Sequence, residues 1–179
     1  MSISGGKPAP GSKSEAVSAV IDALGGAAGL ALAALSVTRK QFIKRAAIAN
    51  LYELEAAKIA LQRARRDDVK ELARAMIADH EKMGSELRSF IGGTISPQMP
   101  PESLDAVHRT LIDHLNGASD EDFDRRYIAQ QKIAHKEAIT LFKTYHQMAR
   151  DDGLRNLAGL ALPVLEQHMQ MVRNLEQAV

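Results

Sequence analysis

Between Asp67 and Ile91 the apolar positions recur with the period of about 3.6 residues that marks an amphipathic α-helix. Val69, Ala73, Met76, Met83 and Leu87 fall in one narrow sector, and Lys70, Glu71, Arg74, Glu81 and Lys82 point elsewhere. One polar residue, His80, sits at the centre of that stripe and is turned inward by it. The same period returns in three other stretches. From Arg39 to Arg66, Phe42, Ala46, Ala49, Ala57, Ala60 and Ala64 share a face with a single carboxylate, Glu53, while Asn50 and Leu61 stand at its margin. From Glu121 to Arg150 the stripe is Asp124, Tyr127, Gln131, Ala134, Ala138, Phe142, Tyr145 and Ala149, flanked by Ile128 and His135. From Leu154 to Ala178 it is Leu154, Leu157, Ala158, Ala161, Leu165, Met169, Val172 and Leu175, with His168 about 40° from its centre.

The punctuation between these stretches sets their order. In Arg65-Arg66-Asp67-Asp68, cationic residues close one helix and anionic residues open the next, each matching the helix dipole, so the first two helices form a hairpin. Gly92-Gly93 stops the second helix, and Ser96-Pro97 and Pro100-Pro101 keep the next segment irregular. A short crossover helix then spans Glu102 to Leu115, with Leu104, Val107, Leu111 and Leu115 inward. Asn116-Gly117 ends it, and Ser119 with Asp122 three residues on resembles a capping box for the third long helix. Asp151-Asp152-Gly153 makes the last turn. Pro163 lies inside the fourth long helix and predicts a kink one turn before His168, where Gly159 relieves the ring clash. Four helices of about 25 residues, each roughly 40 Å long, with a crossover between the second and third, define an all-α four-helix bundle.

Residues 39–179 thus make one bundle domain, and 1–38 stand apart as a tail followed by an Ala/Gly/Leu-rich segment. Glu15 to Val37 admits three readings: a signal peptide, a membrane span, or an additional interface helix. Lys7, Lys13, Ala34 and Ser36 fit the first, Asp22 interrupts the second, and Gly25, Gly26 and Gly29 weaken the third. Because of Asp22 no integral span is expected, and an interface helix would permit a homo-oligomer. A net charge of +1 offers no general attraction for nucleic acid. With no cysteine the chain has neither disulfides nor thiolate metal sites, and the compartment is left open by that criterion.

Candidate chemistry follows from the heights of the inward polar residues. Counting from the first turn near position 67, Glu53 and His80 lie at the same level of an antiparallel hairpin; counting from the turn near 152, so do His135 and His168. When the hairpins pack face to face, one carboxylate and three imidazoles converge in the interior, a donor set suited to one ion of iron, manganese, zinc or copper. Asp79, beside His80, is placed to orient an imidazole as a hydrogen-bond acceptor, and Tyr127 and Gln131 share the inward stripe of the third helix. The alternative is a metal-free structural or interaction bundle with a polar histidine and glutamate layer.

The stretches FIKRAAIANLYELEAAKIAL, DVKELARAMIADHEK, FDRRYIAQQKIAHKEAITLF and LPVLEQHMQM resemble, in order, the signatures of the bacterial ferritin-like DUF4142 family, over Lys40 to Leu175. The resemblance implies a ferritin-like four-helix bundle, export to the periplasm or envelope, and a part in stress tolerance. It also implies functional weight at Glu53, Glu55, Asp79, His80, Tyr127, His135, Glu137, Pro163 and His168, with Glu137 joining Asp79, Tyr127 and Gln131 around the ligands. The front of the chain departs from the family pattern, so a cytoplasmic location is the expectation if residues 15–37 are no signal peptide. Ferroxidase chemistry does not follow: a di-iron bundle uses two Glu-x-x-His motifs, and the positions three before the interior histidines are Ile77, Lys132 and Leu165. A single metal ion handled without conventional enzymatic turnover, in metal handling or oxidative and general stress tolerance, is the expected function.

Overall fold

The structure is a computed structural model that describes residues 37–95 and 99–178. The readings offered for Glu15 to Val37, and nearly all of the segment 1–38, lie outside the described residues. Five helices are present among them: α1 (Arg39–Arg63), α2 (Asp67–Gly92), α3 (Ala106–Asn116), α4 (Phe123–Met148) and α5 (Asp152–Gln177). The four long ones form the bundle. α1 and α2 make one hairpin and α4 and α5 the other, with α1 against α4 and α2 against α5.

Each helix starts where local chemistry permits it. Thr38 forms a complete capping box with Gln41 at the head of α1, and the Asp151 carboxylate accepts from the Leu154 backbone N–H at the head of α5. α2 has no side-chain cap at its N-cap position, which Arg66 occupies; Asp124 of α4 instead ties down the turn ahead of it, accepting from the Arg65 and Arg66 backbone N–H groups at 3.2 and 3.0 Å. α1 ends at Arg63, earlier than the pattern suggests, since Ala64 is already extended. α3 begins at Ala106 rather than Glu102, because the Asp105 side chain accepts from the His108 N–H and sets the first turn there. That start turns Leu111, Ile112 and Leu115 inward and leaves Val107, expected to be inward, 37% exposed. Ser119 caps only the turn ahead of α4, accepting from the Asp122 N–H.

α3 also explains a second buried face on α1. Tyr52 and Ala56 pack in one cluster with Leu111, Ile112 and Leu115, and the Tyr52 hydroxyl donates to Gln130, whose amide donates in turn to the Leu111 carbonyl. Arg63 fastens the end of the crossover: it donates to the carbonyls of Asn116 and Ala118 at 2.8 and 2.7 Å and lies over the Phe123 ring.

Along the bundle axis the interior divides in three. One apolar cluster gathers Phe42, Leu87, Ile91, Phe142, Tyr145 and Leu154, with Phe42 stacked on Tyr145 at 4.0 Å. The other gathers Ala57, Ala60, Leu72, Met76, Phe123 and Val172. Between their positions on every long helix lie the buried polar residues Asn50, Glu53, His80, Gln131, His135 and His168. No helix among the described residues is long and apolar enough to cross a membrane.

The role of Asp124 in this turn is testable. Asp124→Ala should lower stability by about 1 kcal/mol, the usual net worth of a hydrogen bond, seen as a lower urea midpoint with an unchanged slope; an unshifted midpoint would show that water replaces the carboxylate at no cost.

Candidate metal centre

Three long helices each bring one imidazole to the polar layer. His80 comes from α2, His135 from α4 and His168 from α5, and all three are at most 3% exposed. Their ring centroids form a nearly equilateral triangle with sides of 5.4, 5.5 and 6.0 Å. One nitrogen of each lies within 4.8 Å of the others'. The closest pair, His135 Nε2 and His168 Nδ1, is 3.4 Å apart. Two donors on a tetrahedral ion with bonds of about 2.0–2.1 Å are separated by roughly 3.3–3.4 Å, so that edge already has ligand spacing.

The hydrogen bonds on the other nitrogens fix which lone pairs are free. His80 Nδ1 donates to Asn50 Oδ1 at 3.1 Å, leaving Nε2 without a partner. His135 Nδ1 donates to the Gln131 carbonyl one turn back at 3.0 Å, leaving Nε2. His168 Nε2 donates to Asp79 Oδ2 at 2.9 Å, leaving Nδ1. A metal-ligating histidine characteristically gives its remote N–H to a carbonyl or carboxylate, which fixes the ring and raises its basicity. Asp79 is itself 42% exposed through its side chain, so the layer reaches water at this one carboxylate.

Burial keeps two of the donors, His80 and His135, uncharged. It pushes His135 down to about 3 and His80 well below its usual value, in each case with the neighbouring imidazoles adding to the effect. Neutral imidazole is the form that binds metal.

Glu53 is in the layer but not at the triangle's free nitrogens. Its Oε1 stands 3.5 Å from His135 Nδ1, the nitrogen already bonded to Gln131, and its Oε2 has no partner among the protein groups. Distance alone would suggest an ion pair. Burial, however, raises the Glu53 carboxyl to about 8 while lowering His135, so both are neutral at pH 7. Tyr127 and Gln131 are fully buried near Glu53, and the Tyr127 hydroxyl and Gln131 amide have no protein partner. Gln131 reaches the triangle through its backbone carbonyl alone. Glu137 is half-buried, raised to about 7 by desolvation, and makes no hydrogen bond to the three rings.

Asn50 and Gly84 are the residues that the sequence reading left out of the site. A Cβ on Gly84 would lie 2.6 Å from the Asn50 amide nitrogen, so only glycine at this point of α2 leaves room for the amide that orients His80. Both had a signal. Asn50 lies one turn before Glu53, and a glycine in the middle of a helix costs about 1 kcal/mol relative to alanine and so calls for a packing reason.

Fold and site together define a helical-bundle protein with a buried cluster of three histidines able to hold a metal ion. The chain belongs to the family described as Domain of unknown function (DUF4142), whose model matches residues 25–175. A solved structure of CopM in the Cu(II)-bound form is similar to it, with a TM-score of 0.59 at 20% identity over 77% of this chain and 93% of that one. At that identity the likeness is one of fold. No curated protein matches the chain.

The Glu53 shift carries a sign. Between about pH 4.5 and 8 the folded metal-free protein keeps a proton that the unfolded chain releases, so this residue makes stability fall as pH rises through that window and adds no further slope above it. The buried histidines act oppositely, and only below about pH 6.5. In Glu53→Gln the falling contribution disappears, and the variant should gain on wild type by on the order of a few kcal/mol from pH 5 to 8. Parallel denaturation curves at both pH values would overturn the neutral assignment of Glu53.

Proposed function

We propose that this protein binds one transition-metal ion between His80, His135 and His168 and acts in metal handling or in oxidative and general stress tolerance. The observation that carries the reading is the arrangement of the hydrogen bonds: each ring spends one nitrogen on Asn50, Gln131 or Asp79 and keeps a lone pair on the other. Imidazole donors suit copper, zinc, iron and nickel. Copper is the first ion to test, because the structural neighbour is copper-bound. In this reading Glu53 supports the layer from behind His135, and Asp79 orients His168. With its ligand atoms within 4.8 Å of one another, the triangle needs a contraction of at most about 1.4 Å at its widest edge to reach tetrahedral ligand spacing.

The proposal extends to an envelope location with 1–38 as a leader and 39–179 as the working bundle; a cytoplasmic bundle with an associating N-terminal helix is the other arrangement. It includes no nucleic-acid partner.

A metal-free polar layer is the second reading. It is favoured by the 3.4 Å spacing of His135 Nε2 and His168 Nδ1, which is also a hydrogen-bond distance when one of these nitrogens carries a proton.

Elemental analysis separates the two. Tag-free protein purified without chelator from cells grown in mixed metals should carry close to one metal ion per chain, and His80→Ala combined with His168→Ala should carry none. Metal-free wild-type protein whose melting temperature ignores added copper, zinc and iron would favour the structural layer. Asn50→Ala tests the orientation of His80: metal affinity should fall by about 10- to 100-fold, the usual effect of removing a ligand's hydrogen-bond partner, with helicity unchanged. Affinity equal to wild type would show that the amide plays no part in holding the ion.

A further inference from the structure

Three features of the histidine layer bear on the charge of the ion it takes. The first is the donor set. The nitrogens left free, His80 Nε2, His135 Nε2 and His168 Nδ1, belong to imidazoles, which bind metal as neutral groups. No carboxylate stands among them. Glu53 faces His135 at Nδ1, from 3.5 Å, and Asp79 meets His168 at Nε2, so each carboxylate lies on the other nitrogen of its ring.

The second is enclosure. The three histidines are at most 3% exposed, and one apolar cluster with Met76 and Val172 and another with Phe142 and Leu165 lie on either side of them. A cavity of about 30 Å³ beside the layer is lined by His80 but by neither His135 nor His168. An ion at the triangle therefore meets three protein donors inside a closed layer. A zinc ion on three protein ligands, by contrast, takes water or substrate as its fourth.

The third is the charge at hand. Half-exposed Asp79 is joined to the triangle only through the His168 ring. Desolvating an ion costs in proportion to the square of its charge, so a divalent ion suffers about four times the penalty of a monovalent one in the same layer.

Resting on the metal reading above, we propose that the layer selects Cu(I) over Cu(II) and Zn(II), with His80, His135 and His168 as its only three ligands. The filled d shell of Cu(I) imposes no geometry of its own, and the near-equilateral rings, with centroids 5.4, 5.5 and 6.0 Å apart, suit three equal bonds. Among divalent ions, nitrogen donors favour copper. A preference for the monovalent state thus comes from the absence of a fourth ligand and of an anionic one.

Full-length, tag-free protein is titrated anaerobically with Cu(I) against bicinchoninate, and with Zn(II) and Cu(II) against chromophoric chelators. Metal is measured in the same samples, and bound Cu(I) is followed by X-ray absorption. One Cu(I) per chain should bind at least about a hundredfold more tightly than either divalent ion, with a shell of three nitrogens. Ile77→Glu and Leu165→Glu each set a carboxylate one turn before a ligand, His80 or His168. Each should move the preference toward Zn(II) by at least about tenfold. Half-buried Ile77 tolerates the carboxylate better than buried Leu165, and retained helicity identifies the folded variants. Zn(II) or Cu(II) held by wild type as tightly as Cu(I) would overturn the proposal and leave the metal reading standing, as would a fourth ligand on Cu(I). Folded variants with the wild-type preference would overturn it too. Wild type that takes up none of the three ions fails at the earlier step, defeating the metal reading and this one together.

Discussion

The arrangement of the interior depends on one requirement, that a buried imidazole must place its N–H. His80, His135 and His168 each meet it with a different acceptor: a side-chain amide, a backbone carbonyl and a half-exposed carboxylate. The three acceptors come from three helices, so the rings cannot rotate independently of the bundle. Leaving such an N–H buried without a partner would cost about 1–3 kcal/mol. Satisfying it fixes the tautomers, and the tautomers decide which nitrogens are free to bind.

The electrostatics agree with that geometry. Burial lowers the affinity of His80 and His135 for protons and raises that of Glu53. A glutamate and a histidine 3.5 Å apart would form a strong ion pair only if their attraction exceeded the desolvation of both. Here desolvation wins, and Glu53 and His135 remain a neutral pair. The apolar clusters on either side are what keep water away and make this so.

Much of this was legible in the chain. The long helices and their pairing follow from a stripe of period about 3.6 and from charge reversal at the turn near Arg66. His80, His135 and His168 fall at one height because the two hairpins are nearly symmetric about their turns. Counting heights, however, gives a level and no azimuth, and so it could not tell that Glu53 meets the bonded nitrogen of His135. The start of α3 was misread for a different reason. Periodicity extends as far as apolar residues permit, whereas the helix begins where Asp105 can cap it. Asn50 was seen at the margin of a stripe, but its meaning depends on the gap at Gly84 on another helix, and no single-helix pattern contains that contact.

The inner face of α1 is built largely from alanine, with Ala46, Ala57 and Ala60 among its buried residues. Side chains so uniform make a seam with little resistance to sliding, since one alanine moved up a turn meets much the same surface as the one it replaces. The polar layer breaks this degeneracy. A shift of α1 by one turn would part Asn50 from His80 and set Glu53 among apolar neighbours, orphaning several groups at once, each at about 1–3 kcal/mol. Asn50 and Glu53 therefore act as index marks that give an otherwise repetitive helix a single vertical alignment, in the way that one buried asparagine selects the register of a coiled coil.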